Sequence, residues 1–291
     1  MTPIRIDRVV KSRDRLGETP LWCDRTERLC WLDIEQPRLQ SFDPATGAHE
    51  ALPLPGTYAG THAMTKSGVR ILAEDLTLYL RDSGTSSRAD FLTVEPGLDN
   101  RFNDGRVDAR GRFWVGTMDN GLSRSNGALY RIDPDGTATT METEVIVSNG
   151  IAFSPDGDTL YFTDTRRYTS YAYDLDLDDG VISNRRVFAD YTSTRDRPDG
   201  ACVDVDGCLW QAVFAGGWIV RYRPDGGVDQ TIALPVSNPT CLAFGGPELK
   251  TLYITTARKF LSEDALATEP LAGSLLAIEG LGQGLPERRF G

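Results

Sequence analysis

The sequence predicts an all-β fold, a six-bladed β-propeller around a central channel, and three observations carry that expectation. A turn followed by a short β-prone strand recurs six times along the 291 residues. Most copies are followed by a second strand of alternating apolar and polar residues that ends at glycine. Helix-forming sequence is scarce, with SEDALATEP near the end the only convincing stretch.

The six turn-strand units are CDRTERLCWLDI, TKSGVRILAED, DARGRFWVGTM, SPDGDTLYFTD, DVDGCLWQAVF and GPELKTLYITT. Their anchor residues are Trp31, Ile71, Trp114, Tyr161, Trp210 and Tyr253, separated by 40, 43, 47, 49 and 43 residues. The strands that follow are RLQSFDPATG, LTLYLRDSG, GALYRIDPDG, SYAYDLDLDDG, WIVRYRPDG and GSLLAIEG. An inner strand before each anchor and a fourth strand after these complete a blade of four, and a repeat of roughly 40–50 residues is the mark of a propeller. A closed all-β fold reaches this length as one domain, so residues 1–291 are read as a single propeller. The alternating segment IRIDRVV, residues 4–10, is expected to pair with the last blade, because an unpaired edge invites association.

Two identical triplets separate turn residues from site residues. Pro155-Asp156-Gly157 places its Asp five residues before the anchor Tyr161, where a hairpin turn belongs. Pro198-Asp199-Gly200 places its Asp eleven before Trp210, although Asp206-Gly207 already supplies that blade's turn. The same early phase holds Asn103, eleven before Trp114, Asn149, twelve before Tyr161, and Glu18, thirteen before Trp31. Apolar residues follow each of them, as an inner strand requires: Leu21 and Trp22, Val107, Ile151 and Phe153, Cys202 and Val203. Inner strands of a propeller line the channel, so these four polar side chains are expected at one channel mouth. Taken singly, each would pass as a strand or loop cap. Together, two carboxylates and two carboxamides call for a cation, and all-oxygen ligation suits calcium, magnesium, manganese, iron(II) or zinc.

Bulk properties narrow the function classes. A net charge of −11 disfavours nucleic acid and anionic membranes as partners. No 18-residue apolar run is present, and MTPIRIDRVV lacks a signal-peptide core, so a cytoplasmic location is expected. Cys23, Cys30, Cys202, Cys208 and Cys241 are odd in number and scattered, which fits buried thiols better than disulfides or a zinc ribbon. The DLDLDDG run departs from a calcium loop at positions six and twelve, Asp179 and Arg185, and is read as a solvated hairpin end. His49 follows a turn and is expected exposed, and His62 is read as packed or on the surface rather than in the channel. No G-x-S-x-G elbow is present, and GLGQG lacks a dinucleotide-binding context.

The segments LGETPLW, RFNDGRVDARGRFWVGTM, GALYRIDPDG, SNGIAFSPDGDTLYFTDT, PDGACVDVDGCLW and FGGPELKTLYITTAR resemble the sugar-lactonase family that includes gluconolactonase and regucalcin. The likeness runs from Leu16 to Arg258. It implies a six-bladed propeller with one catalytic divalent metal, of the ions Ca, Zn, Mn, Mg or Fe(II). Carried over by motif, Glu18, Asn149 and Asp199 resemble the metal ligands, and Asp199 also the general base. Arg101 and Asn103 resemble the pair on the substrate side. Thr19 stands where the family has Gly, and Asp119-Asn120-Gly121 stands where a gluconolactone-handling relative is acidic, which makes Asp119 a further substrate-side candidate. The activity implied is hydrolysis of an aldonolactone, such as xylono-, arabinono- or gluconolactone, by a monomer acting on a small molecule. The alternatives are a calcium-binding regulatory or scaffold propeller, or a related esterase or organophosphate hydrolase. Three protein ligands leave coordination positions open, and an Arg beside a cation is hard to explain structurally, so the enzyme reading is preferred.

Overall fold

The computed structural model describes residues 4–82 and 88–291. Six four-stranded antiparallel sheets and one short helix account for the regular structure of these residues, and the sheets are the blades of a β-propeller. All six anchors lie on the second strand of a blade, as the repeat requires. The glycine stop expected at Gly84 lies outside the described residues.

The blades fall into two compact units of three. One comprises Met1–Leu54 and Asp199–Pro286. Its first blade is β2 (Gly17–Cys23), β3 (Arg28–Asp33), β4 (Arg38–Phe42) and β5 (His49–Pro53). Its second is β18 (Arg197–Val203), β19 (Leu209–Phe214), β20 (Trp218–Tyr222) and β21 (Val228–Ala233). Its third runs in the order β1 (Asp7–Val10), β24 (Leu275–Glu279), β23 (Thr251–Thr256) and β22 (Pro239–Gly245). The N-terminal strand therefore does pair with the last blade, through Asp7↔Ala277, Arg8↔Leu276 and Val10↔Leu275. Residues 4–6 stay outside that ladder. The helix expected from SEDALATEP is α1 (Glu263–Thr268), capped by Ser262, whose hydroxyl accepts from the Ala265 N–H at 3.2 Å.

The other unit comprises Pro55–Pro198 and Glu287–Gly291. Its blades are β6 (Ala59–Met64) with β7 (Arg70–Glu74), β8 (Thr77–Arg81) and β9 (Arg88–Thr93); β10 (Asn100–Val107) with β11 (Phe113–Asp119), β12 (Gly127–Ile132) and β13 (Ala138–Val145); and β14 (Ser148–Phe153) with β15 (Thr159–Asp164), β16 (Thr169–Asp176) and β17 (Val181–Asp190). Phe290 inserts among Val107, Phe113 and Val115 and meets Phe91 edge-on at 5.8 Å between ring centroids. Its backbone is pinned by Phe290 N–H to Met64 O at 2.8 Å and Lys66 N–H to Phe290 O at 2.9 Å.

Burial grades from one edge of each blade to the other. Every residue of β2, β6 and β22 is buried, whereas every residue of β5 is exposed. The anchors Trp31, Trp114 and Trp210 are the three largest fully buried side chains. A buried indole N–H needs an acceptor, and each has a carboxylate at 2.9 Å: Asp14, Asp108 and Asp204 respectively. Asp108 and Asp204 are also the first residues of the DARG and DVDG turns, where they accept the backbone N–H of Arg110 and Asp206. In these two blades one aspartate thus fixes both the turn and the anchor. All five cysteines are buried thiols outside any disulfide. No helix among the described residues is long and apolar enough to cross a membrane.

Candidate functional site

Three of the early-phase polar residues, Glu18, Asn103 and Asn149, sit where the inner strands break register. The ladder slips between Glu18 and Leu21 in β2, between Phe102 and Gly105 in β10, and between Asn149 and Ala152 in β14. β-Bulges of this kind re-aim side chains and are common beside active sites. After Glu18 and Asn149 the next residue takes the left-handed backbone: Thr19 at φ 47° and Gly150 at φ 57°. Thr19 adopts it despite being β-branched, at a cost that a glycine would avoid. The substitution noted in the sequence therefore falls on a position with a real backbone demand.

In the first unit, Glu18 and Asp199 are 4% and 6% exposed, at the beginnings of β2 and β18. One Glu18 oxygen, Oε2, accepts the Thr19 N–H at 3.0 Å. The Asp199 carbonyl accepts from Gln211 Nε2 at 3.2 Å, tying the strand start to its neighbour β19. A Cβ on Gly200 would lie 2.3 Å from Cys241 Sγ and 2.9 Å from Cys241 Cα, so β18 can approach β22 only with glycine there. The Gly of Pro198-Asp199-Gly200 is a packing requirement rather than a turn.

In the second unit the structure brings Arg101, Asn103 and Asn149 together in one string of hydrogen bonds. Arg101 Nη1 donates to Asn103 Oδ1 at 2.5 Å and to its neighbour's carbonyl, Phe102 O, at 3.0 Å. Asn103 Nδ2 donates to Asn149 Oδ1 and to Ser148 O, both at 2.7 Å. Asn149 Nδ2 continues to Thr165 Oγ1 at 2.8 Å, and the Thr165 hydroxyl donates to Pro198 O at 2.7 Å. The string therefore ends on the carbonyl of the residue before Asp199. The Arg101 guanidinium also stands over the Tyr58 ring, 5.5 Å from its centroid, and is only 4% exposed.

Beneath the string, Asp104 cross-links two inner strands. Its Oδ1 accepts the Gly105 N–H and its Oδ2 the Ile151 N–H, both at 2.8 Å. Burial pushes its carboxyl above the usual range, and the amides of Ile151, Gly105 and Gly150 with nearby Arg106 offset only part of that. Sequence reading missed Asp104, because Asn-Asp-Gly passes as turn chemistry. Thr165 was missed as well, and no local pattern marks it.

Asp119 is not part of the string. It ends β11, fully buried, and both oxygens are engaged: Oδ1 takes Arg124 Nε at 2.8 Å and Nη2 at 2.6 Å, and Oδ2 takes the Ser123 and Arg124 amides. Burial alone would raise its pKa, but the Arg124 side chain and the amides of Arg124, Ser123 and Gly121 outweigh it and hold the carboxyl well below the usual range. His62 is fully buried on β6, with Arg70 Nη1 2.6 Å from its Nδ1, which matches the packed role expected of it. His49 is exposed yet lies flat on Trp31 at 5.4 Å. Asp174 to Gly180 forms the β16–β17 hairpin end, where Asp176 accepts the Asp178 and Asp179 amides.

Residues 16–258 match the model of the SMP-30/gluconolactonase/LRE-like region. The chain belongs to this family. Among SMP-30/gluconolactonase/LRE-like proteins, it is 41% identical over 271 residues to the 6-deoxy-6-sulfogluconolactonase of Pseudomonas putida, covering 92% of each chain. It is 36% identical to the pentonolactonase XacC of Haloferax volcanii, over 98% of this chain and 97% of that one. The crystal structure of a calcium-binding protein, regucalcin, from Agrobacterium tumefaciens superposes with a TM-score of 0.93 at 30% identity, covering 99% and 98% of the two chains. That likeness establishes the six-bladed propeller expected from the repeat.

Proposed function

We propose that the chain is a metal-dependent lactonase that opens the internal ester of an aldonolactone to the free acid. The observation that carries the reading is the string Arg101–Asn103–Asn149, buried on inner strands, with Glu18 and Asp199 at corresponding positions of theirs. The lactonase relatives support the same reaction class.

Glu18, Asn149 and Asp199 are proposed as the ligands of one divalent ion. The donor set fits: two buried carboxylates and a carboxamide oxygen are hard donors, suited to Ca, Zn, Mn, Mg or Fe(II). Among the described residues no group of three or more His, Cys, Asp and Glu gathers, so neutral oxygens such as Asn149 Oδ1 have to complete the set. Asn103 holds that oxygen in place, leaving its second lone pair for the ion. When bound, the ion supplies Lewis acidity that polarises the lactone carbonyl and acidifies water, worth several kcal/mol of barrier.

The protein groups do the rest. Asp199 takes the proton of the attacking water and returns it to the ring oxygen as the acyl C–O bond breaks. Arg101 stabilises the oxyanion formed at the carbonyl. Asn103 Oδ1, which already accepts from Arg101, has a second lone pair for a sugar hydroxyl. Asp119 serves the substrate side indirectly, by holding Arg124 and the 121–124 turn. Pentono- or hexonolactones, including xylono-, arabinono- and gluconolactone, are then better substrates than aryl esters or phosphotriesters.

The test is a lactone panel assayed by acid release, on chelated protein and after adding back each metal. Asp199→Asn keeps an oxygen for the ion but cannot accept a proton near neutral pH. It should retain metal binding in titration while losing about 10²-fold or more in turnover. Full turnover in Asp199→Asn would remove the base assignment. Metal binding with no lactonase activity in the wild-type protein would favour the calcium-binding regulator, a reading to which the regucalcin-like fold lends itself.

A further inference from the structure

A second polar feature lies in the unit that carries Glu18, and none of the assignments above uses it. A cavity of about 210 Å³ is lined by Arg13, Arg15, Gln36 and Arg258, with Leu261 and Leu266 as its apolar wall. The backbone places three of these arginines on adjoining segments. Leu16 and Ala257 form an isolated antiparallel bridge, the Arg258 N–H donates to Asp14 O at 3.2 Å, and the Lys259 N–H donates to Arg15 O at 2.9 Å. The cavity is therefore built on the segment that leads directly into β2 and Glu18.

The charges around it are unbalanced. Arg15 Nε is paired with Glu35 at 2.7 Å, and Lys259 shares the same carboxylate. Glu35 is thus already divided between two cations. Arg13 and Arg258 have no ion pair among the described residues. Arg38 is taken up by Asp14 and Asp33, so Arg13, Arg15, Arg38, Arg258 and Lys259 exceed the three carboxylates of Asp14, Asp33 and Glu35 by two charges, in a chain whose net charge is −11. Like charges held together at a concave surface raise the affinity for an anion, and guanidinium forks match the geometry of oxyanions.

The backbone at Arg13 and the stem of Arg258 are also held rather than loose. Arg13 occupies the left-handed region at φ 57°, and its neighbours fix it there: Ser12 Oγ and the Asp14 N–H both donate to Gly273 O, at 2.9 and 2.7 Å. A Cβ on Gly273 would lie 2.7 Å from Arg258 Cγ, so the stem of Arg258 packs directly over that glycine. Strained and close-packed backbone beneath a cationic cavity is a preorganised frame for a ligand.

We propose that this cavity binds the oxyanion group of a small molecule, a sulfonate, sulfate, phosphate or carboxylate, through Arg13, Arg15 and Arg258, with Gln36 as an added donor. Two sources share that chemistry: a charged substituent on the substrate's far end, or a free anion. Binding itself does not depend on the lactonase reading; only the choice of the substrate as source does.

Calorimetric titration with sodium sulfate and with inorganic phosphate, at ionic strength balanced with sodium chloride, tests the site. Saturable binding is expected in the wild-type protein. It should weaken by about tenfold or more in the double variant Arg13→Gln/Arg258→Gln, and by less in Arg13→Lys/Arg258→Lys, which keeps the charge and controls for folding. No saturable binding, or equal binding in wild type and both variants, overturns the proposal. The source is read from kinetics, as the ratio of kcat/KM for a sulfonate- or phosphate-bearing lactone to that for its neutral counterpart. A ratio that falls about tenfold in the Gln variant assigns the cavity to the substrate. An unchanged ratio alongside the binding loss assigns it to a free anion. Absence of any lactone turnover fails the functional reading and leaves the binding result standing.

Discussion

Asp104 offers the sharpest test of how the site is held. Replacing it with Ala removes the acceptor of two buried backbone N–H groups, Gly105 and Ile151, each now bonded at 2.8 Å, and weakens the setting of Gly150. Each buried donor left without a partner costs about 1–3 kcal/mol. Against that, the variant no longer has to desolvate a carboxylate, whose cost shows in its raised pKa. The net expectation is a loss of about 2–4 kcal/mol for Asp104→Ala. Asp104→Asn keeps one oxygen but turns an NH2 toward an N–H donor, and should lose roughly half as much. Urea unfolding followed by fluorescence gives the stability, and lactone turnover of the folded variant gives the function. Because Ile151 lies two residues beyond Asn149 on β14, turnover should fall further than the lost stability alone explains. An Asp104→Ala protein within about 0.5 kcal/mol of wild type would refute the cross-link as a structural element.

Other expectations follow from the same geometry. Phe290→Ala should cost about 3–5 kcal/mol, as a core phenylalanine does, measured by urea unfolding; a loss under about 1 kcal/mol would show that the pocket around Phe290 collapses freely. Deleting residues 1–10 strips β24 of one of its two partners and should lower the calorimetric midpoint in a single transition, and an unchanged midpoint would show that this edge needs no cover. The depressed carboxyl of Asp119 should make wild type more stable than Asp119→Asn at neutral pH. Its contribution is fully present above the ordinary carboxylate range and disappears as pH falls through the depressed folded value, so the two melting curves should converge in acid. A constant gap across that range would show that the Arg124 contact, not the charge, matters.

The fold was legible because a propeller writes its repeat into the chain. Six anchors at matched phase gave the second strand of each blade, and IRIDRVV gave the strand that joins the last one. The site was legible in part. Phase alone separated Asp199 from Asp156, and Asn103 and Asn149, singled out in the same way, prove to be hydrogen-bonded to each other. What phase could not give was the support beneath them. Asp104 finds its partner 47 residues away in sequence, and Thr165 bonds 33 residues on, at Pro198. Nor could phase show that Asp119 would be saturated by Arg124, since that depends on how the 121–124 turn closes.

The ambiguity of the triplets has a physical origin. A tight turn needs small residues, an Asx acceptor and a positive φ. An inner strand packed closely on the next also needs a small residue, for want of room rather than for its φ. Asp156-Gly157 and Asp199-Gly200 are therefore written with the same letters although their glycines answer different demands. Gly157 has φ 83° in a hairpin turn, where only the flexible end of Leu177 lies close, whereas Gly200 is required because a side chain there would strike Cys241, backbone included. The two can be told apart experimentally by the kind of damage an alanine does. Gly157→Ala should cost the strain of the left-handed backbone, about 1–2 kcal/mol, with a further small shift of the Leu177 side chain, 3.1 Å from the new Cβ, and leave catalysis intact. Gly200→Ala should force β18 away from β22 and take Asp199 with it, lowering turnover more than stability. Equal losses of activity in the two variants would mean that Asp199 is not set by the approach of those strands.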